Sequence, residues 1–78
     1  MKKILLLGAS GNIGSQVIDI INDNPLFELA GISVGENLEK GLEILQKFKT
    51  ITQFYSIKKV NDDLKKQFSN VCFYDGDN

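Results

Sequence analysis

The sequence predicts an α/β fold in which the strands of one parallel sheet alternate with helices. Four short apolar runs, each typical of a buried strand, alternate with three segments whose apolar residues recur at helical spacing. A glycine-rich segment directly follows the first run and opens the first helical segment. Because parallel strands need crossover connections, this alternation predicts helices packed on the faces of the sheet.

The first strand–helix–strand unit has the clearest pattern. Residues 4–7 are an unbroken apolar run, typical of a strand buried on both faces of a parallel sheet. Asn24-Pro25 ends the following helix, since proline cannot continue it, and residues 27–34 are the predicted second strand. The spacing i, i+4, i+7 and i+8 predicts one buried helix face, formed by Ile13, Val17, Ile20 and Ile21.

The remaining elements are shorter. After a turn at 35–37, Asn37 is the predicted N-cap of a second helix. That helix carries Leu38, Leu42, Leu45 and Phe48 on one face. We further predict a third strand over 52–57, a short helix over 61–68 capped by Asn61, a fourth strand over 71–74 and a turn over 75–78. Only this short turn follows the last strand, so we expect a sheet truncated after about four strands.

Composition excludes several classes of function. Nine basic and ten acidic residues give a net charge of −1, so no basic excess predicts binding to nucleic acid or to a membrane surface. No apolar stretch approaches the ~18 residues of a membrane span, and we expect a cytoplasmic protein. With no histidine, the chain cannot contain a histidine-activated nucleophile. Cys72, the single cysteine, lies in an apolar run and is predicted to be buried.

The glycine-rich segment predicts a dinucleotide site in a Rossmann-like fold. A first glycine permits the sharp turn after the strand, a second lets a pyrophosphate approach the backbone, and a third lets the helix pack closely. The helix N-terminus then faces the phosphates. The alternative is a tight turn in a domain that binds no nucleotide. The segment is Gly8-Ala9-Ser10-Gly11-Asn12-Ile13-Gly14.

Selection between NAD and NADP is expected at the end of the second strand, where the adenine ribose binds. An acidic residue about 20 positions beyond the loop accepts a hydrogen bond from the ribose 2′-hydroxyl and repels a 2′-phosphate. Glu36 lies close to that spacing, and Lys40 is the nearest cation in the sequence. On these residues alone, Glu36 favours NAD or a solvent-facing role.

The sequence also resembles one enzyme family, 1-deoxy-D-xylulose 5-phosphate reductoisomerase. The likeness extends over the whole chain and is specific as far as Asn37. The matching residues are Gly8 to Gln16, Asp19, Asn24-Pro25, Phe27 and Gly35-Glu36-Asn37. Glu36 departs from the family pattern, in which a basic or small residue is frequent.

The resemblance implies an activity and a set of ligands. The family isomerises 1-deoxy-D-xylulose 5-phosphate on a divalent metal, Mg or Mn, and reduces the intermediate with NADPH to 2-C-methyl-D-erythritol 4-phosphate, on the non-mevalonate route to isoprenoids. A homodimer is the expected full-length state. The implied cofactor-binding residues, together with those of the glycine motif, are Gly8, Ser10, Gly11, Asn12, Ile13, Gly14, Gly35, Glu36 and Asn37.

The resemblance places this chain in the N-terminal part of the NADPH-binding domain, over residues 1–78. It implies that the catalytic residues, the metal ligands and the sugar-phosphate site lie in further domains, so no catalytic or metal residue is assigned here. Two other functions stay open from the sequence. One is a different NAD(P)-dependent oxidoreductase with the same loop, and the other is a stand-alone nucleotide-binding module.

Overall fold

Strands and helices alternate along the chain in the predicted order. The computed structural model describes residues 2–75, and the rest of the turn predicted at 75–78 lies outside that range. In chain order the elements are β1 (Lys2–Leu7), α1 (Asn12–Asp23), β2 (Phe27–Val34), α2 (Leu38–Lys47), β3 (Gln53–Ser56), α3 (Asp62–Gln67) and β4 (Cys72–Tyr74). Each predicted element is therefore confirmed, with ends that differ by two residues at most.

The four strands form one parallel sheet in the order β1-β2-β3-β4. Each crossover steps to the next strand in the same direction, and right-handed crossovers then place all three helices on one face of the sheet. Grooves between α1 and α2 and between α2 and α3 confirm that the helices are neighbours. All four strands end at the same edge, which is where open parallel sheets bind their ligands.

The core lies between the helices and the face of the sheet that they cover. A bulge at Ala30, which has no partner in β1, lets both Leu29 and Ile32 point into this core. The Phe54 ring, fully buried, packs against Phe73 on the neighbouring strand with 5.4 Å between ring centroids. The buried apolar residues are Ala9, Ile18, Ile21, Leu29, Ile32, Val34, Ile44, Leu45, Ile51, Phe54 and Val60.

The buried face of α1 differs from the predicted one. Ile13 and Ile20 are 76% and 62% exposed, whereas Gly14, Ile18 and Ile21 are buried. The reason is the close contact of Gly14 with the turn after β1, which fixes the rotation of the helix about its axis. Residues 18 and 21 follow Gly14 at i+4 and i+7, so they face the sheet, and Ile13 and Ile20 turn away.

The second face of the sheet is open in the described part of the chain, which corrects two predictions. β1 was predicted to be buried on both faces, but Leu5 and Leu7 are 52% and 72% exposed. Cys72, predicted to be buried, is exposed on the same face. Both differences arise because all three helices cover the other face. On this open face Tyr55 of β3 stacks on Tyr74 of β4, with 4.7 Å between the ring centroids.

Polar side chains fix the starts of α2 and α3, as predicted. Asn37 Oδ1 accepts a hydrogen bond from the Lys40 backbone N–H at 3.2 Å, and Asn61 Oδ1 accepts one from Leu64 at 3.0 Å. Each bond satisfies a backbone donor that the first helical turn leaves unpaired.

No helix among residues 2–75 is long and apolar enough to cross a membrane.

Candidate functional site

Three loops meet at the edge where the strands end. They are the glycine loop after β1, the 35–37 segment after β2 and the loop between β3 and α3. The Ala9 backbone N–H donates to Ser33 O at 2.8 Å, which ties the glycine loop to β2. The Ile57 N–H donates to Gly35 O at 3.3 Å, which ties the third loop to the second. The predicted site residues on the first two loops therefore share one surface with the third loop.

The glycine loop turns sharply at its first residue. Gly8 has a φ of +71°, in the left-handed region that residues with a side chain rarely adopt. The Gly11 N–H donates back to Gly8 O at 3.1 Å and closes the turn. The chain can thus leave β1 and enter α1 within four residues, and the role predicted for Gly8 agrees with this geometry.

Close packing explains the last glycine of the motif. A Cβ atom on Gly14 would lie 2.5 Å from Gly8 O and 2.8 Å from the Ala9 Cα. Both are backbone atoms, so no side chain can move aside to make room. Gly14 therefore brings α1 against the turn, as the third glycine of the motif is expected to do.

Internal packing does not explain the central glycine. Gly11 has extended backbone angles, φ −85° and ψ 175°, which any residue adopts. A Cβ atom there would contact only Gly8 O, at an ordinary 3.5 Å. The fold thus tolerates a side chain at position 11, and the exposed backbone at this position leaves room for a ligand to approach.

The N-terminus of α1 is left without the caps that the other helices have. Gly11 provides no side-chain cap, and the first turn contains no acidic residue. By contrast, α2 has Asn37 and Glu39 at its start. The first N–H groups of α1 and the positive end of its dipole are therefore available to an external anion. Ser10, half-buried, precedes this helix turn, and Asn12 and Ile13 lie exposed within it.

The second predicted segment borders a groove at the same edge. Gly35 is half-buried, and Glu36 and Asn37 are exposed. The Asn37 side chain uses its oxygen for the α2 cap, which leaves its Nδ2 as a donor. The groove is lined by Glu36, Asn37, Leu38, Glu39, Leu42 and Lys58.

Comparison with known proteins identifies the family. A sequence model of 1-deoxy-D-xylulose 5-phosphate reductoisomerase matches residues 4–77. The chain belongs to this family. The match extends beyond Asn37, where the motifs are weak, and it does not favour the two alternative functions that the sequence left open.

Relatives in the same family support the assignment. The chain is 42% identical over 79 residues to the 1-deoxy-D-xylulose 5-phosphate reductoisomerases of Listeria welshimeri serovar 6b and Listeria innocua serovar 6a, with 97% of this chain covered. It is 41% identical over 68 residues to the Bacillus cereus AH187 enzyme, with 86% covered. The chain spans about a fifth of the length of these reductoisomerases, since it covers 17–20% of each.

One residue of the groove escaped sequence analysis. Lys40 is the nearest cation to Glu36 in the sequence, but it lines the groove between α1 and α2 instead. Its Nζ lies 3.8 Å from Glu43 Oε2. Lys58, far away in the sequence, is the cation that lines the groove. Lys58 reaches the groove only because β2 and β3 pair in parallel. No local sequence signal could therefore have identified it.

A buried carboxylate supports the third loop. Asp75, directly after β4, is 2% exposed, and its Oδ2 accepts the Val60 backbone N–H at 2.5 Å. Lys65 Nζ lies 3.3 Å from the same oxygen. The Val60 hydrogen bond and the positive charges of Lys65 and Lys59 lower the pKa of Asp75 below its ordinary value, against the opposing effect of burial. Asp75 is therefore a structural carboxylate that connects β4 to the loop before α3.

The described residues do not form a metal site. Among residues 2–75, no three histidine, cysteine, aspartate or glutamate side chains are grouped so that they could hold a metal ion. The divalent metal that the resemblance implies therefore has no fitting ligand set in this part of the chain, and we assign no metal chemistry to these residues.

Proposed function

We propose that residues 1–78 form the N-terminal part of the NADPH-binding domain of a 1-deoxy-D-xylulose 5-phosphate reductoisomerase. The observation that carries this proposal is the state of the glycine loop. It has an open central glycine directly beside a helix N-terminus without a side-chain cap. The proposed cofactor-binding residues are Gly8, Ser10, Gly11, Asn12, Ile13, Gly14, Gly35, Glu36 and Asn37.

The glycine loop would bind the pyrophosphate. The exposed backbone at Gly11 admits the phosphates, and the N–H groups of Asn12 and Ile13 lie in the first turn of α1, where they can donate to phosphate oxygens. The Ser10 hydroxyl and the Asn12 amide add polar groups next to this backbone. Gly8 and Gly14 contribute to the site through the backbone, because they shape the turn and set the distance between helix and loop.

The segment after β2 would hold the adenosine. Asn37 Nδ2 is a donor for a ribose oxygen, and the Glu36 carboxylate is an acceptor for a ribose hydroxyl. Gly35 lies where the hydrogen bond from Ile57 joins the two loops, and a Cβ atom on it would only reach Ile57 Cδ1 at 4.0 Å. These residues would orient the adenosine end while the glycine loop fixes the pyrophosphate.

The reaction itself is assigned to the whole enzyme. When bound, NADPH would supply the hydride for the reduction of the isomerised sugar phosphate to 2-C-methyl-D-erythritol 4-phosphate. In this proposal the divalent metal and the phosphorylated sugar bind in the rest of the enzyme, of which this chain spans about a fifth. As part of the same proposal, the full-length enzyme would be a cytoplasmic homodimer that binds neither nucleic acid nor membrane.

An NMR titration of the 78-residue chain tests the cofactor site. On addition of NADPH, we expect the amide signals of residues 8–14 and 35–37 to shift, and those of α3 to stay unchanged. A folded chain whose signals ignore NADPH would contradict the proposal.

A chimera tests the enzyme. In the Listeria welshimeri reductoisomerase, 42% identical to this chain, the matching segment would be replaced by these 78 residues. We expect NADPH-dependent reduction of 1-deoxy-D-xylulose 5-phosphate, measured by absorbance at the NADPH band. We expect Gly11→Val in the chimera to abolish it. A folded chimera without activity, or one that tolerates Gly11→Val, would contradict the assignment.

A further inference from the structure

We propose that Lys58, in the loop between β3 and α3, is the cation that accommodates the 2′-phosphate of the cofactor and opposes the effect of Glu36. This inference rests on the proposed cofactor site and adds a residue to it. In dinucleotide-binding folds of this type a basic side chain near the end of the second strand accepts the 2′-phosphate, and an acidic one rejects it. Here the expected position is occupied by Glu36.

Among the described residues, Lys58 is the one cation placed to meet a 2′-phosphate in this groove. All nine basic residues of the chain are lysines, so no arginine can supply the usual contact. Lys40 pairs with Glu43 on the side of α2 that faces α1. Lys59 lies against the start of α3, in a separate hollow with Val60, Asn61 and Asp62. Lys58 alone among the described lysines lines the groove that contains Glu36 and Asn37.

One hydrogen bond holds the backbone of Lys58, and two more hold its neighbours Ile57 and Val60. Ser56 Oγ donates to Lys58 O at 2.7 Å, and the Ile57 N–H donates to Gly35 O. Two residues further on, the Val60 N–H donates to the buried Asp75 carboxylate. The loop is therefore fixed relative to the segment after β2, and the Lys58 side chain starts from a defined position at the groove.

The charge balance of the groove gives Lys58 its effect. Two carboxylates, Glu36 and Glu39, line the groove with this single ammonium group. A 2′-phosphate entering the groove without Lys58 would meet negative charge only. With Lys58, the 2′-phosphate meets one opposite charge. At the contact distances of exposed groups, removal of that charge is expected to lower the affinity for the 2′-phosphate about fivefold or more. A ribose with a free 2′-hydroxyl carries no such charge and gains little from Lys58.

The test compares two small probes that differ only in the 2′-phosphate, 2′,5′-ADP and 5′-AMP. Their affinities for the 78-residue chain are measured by NMR titration in low salt, for the wild type, Lys58→Met and Lys59→Met. We expect Lys58→Met to lower the ratio of 2′,5′-ADP to 5′-AMP affinity about fivefold. Lys59→Met removes the same charge from the neighbouring residue and is expected to leave the ratio nearly unchanged. The difference in this ratio between the wild type and Lys58→Met should shrink as salt is added, because salt screens the charge of Lys58.

The outcomes separate this inference from the proposed function. Equal ratios in the wild type and Lys58→Met, with signals of residues 8–14 still shifting, would overturn the role of Lys58 and leave the cofactor site intact. An equal fall in both lysine variants would also overturn it, because the effect would then be one of general charge. No shift at residues 8–14 with either probe would overturn the cofactor site itself.

Discussion

A side chain at Gly14 would place its Cβ atom 2.5 Å from the carbonyl oxygen of Gly8, so helix α1 and the turn after β1 fit together only through a glycine. This contact has two consequences. It sets the rotation of α1, and with it the set of apolar residues that reach the sheet. It also fixes the N-terminus of α1 beside the turn, where the proposed pyrophosphate site lies.

Gly14→Ala is therefore expected to destabilise the chain. The overlap with backbone atoms costs about 3 kcal/mol, and the better helix propensity of alanine returns about 1 kcal/mol. The net loss of about 2 kcal/mol is a large share of the total stability of a chain of this length, about 4–12 kcal/mol. Urea unfolding followed by circular dichroism measures it. Gly11→Ser, where a Cβ atom meets only one ordinary contact at 3.5 Å, is the matched control. Equal losses in both variants would show that the contact is not decisive.

Gly11 variants should separate binding from stability. Gly11→Val is expected to abolish NADPH binding, because its side chain occupies the approach to the backbone, while the extended angles at this position keep the fold. Gly11→Ser should weaken binding and yet raise stability by a few tenths of a kcal/mol, because serine is a better N-cap than glycine. Titration and thermal unfolding of the same samples measure the two effects. NADPH binding that survives Gly11→Val would refute the loop assignment.

Glu36→Lys is expected to improve NADPH affinity far more than NADH affinity. The change replaces a repulsive charge by an attractive one close to the 2′-phosphate, which is worth on the order of 1–4 kcal/mol before screening. Since Glu36 is exposed, we expect the lower end of this range. Glu43→Lys makes the same charge change on α2 outside the groove and serves as the control. Equal gains for both cofactors would indicate that Glu36 points away from the ribose.

Asp75 should make the fold sensitive to acid. Its pKa is lowered in the folded state from the ordinary value of 3.8, first by the hydrogen bond from Val60 and then by Lys65. A group with a lowered folded pKa stabilises the fold above its unfolded pKa, and that stability is lost as the pH falls through the folded value. We therefore expect stability to decrease below about pH 4.

Asp75→Asn tests this contribution. The variant keeps an acceptor for the Val60 N–H but loses the charge that Lys65 faces, with an expected cost of about 1–3 kcal/mol at neutral pH. Carboxylates titrate at about pH 4, so unfolding is followed from about pH 5 to about pH 2. Over this interval the urea midpoint of the variant should change less than that of the wild type. Asp19→Asn, which changes an exposed carboxylate on α1, is the comparison. A pH profile of Asp75→Asn that matches the wild type would rule out this role.

Local patterns were sufficient to predict the elements and the glycine loop. The apolar runs, the proline after α1 and the caps at Asn37 and Asn61 act over a few residues, so the sequence contains their complete signal. The loop geometry also follows from local rules. The positive φ at Gly8 and the close approach at Gly14 are the properties that those two positions of the motif require.

Contacts between distant segments explain what sequence analysis missed. The apolar spacing of α1 fits two overlapping faces, and the contact at Gly14 selects the one with Ile18 rather than Ile13. Cys72 is exposed because the helices cover the other face of the sheet. The periodicity of apolar residues in the sequence does not show which face the helices cover. Lys58 reaches its groove through strand pairing, and Asp75 meets Val60 across 15 residues.

The order of the strands has a consequence for how the chain acquires its structure during synthesis. Each strand pairs with the one made just before it, so every new strand finds its neighbour already present. The sheet can therefore grow in the order of synthesis, since domains can form while the ribosome is still elongating the chain. Within residues 2–75, β1 is a border strand of the sheet, and it carries Lys2 and Lys3, both exposed. Charged lysines on a border strand discourage pairing with other nascent chains.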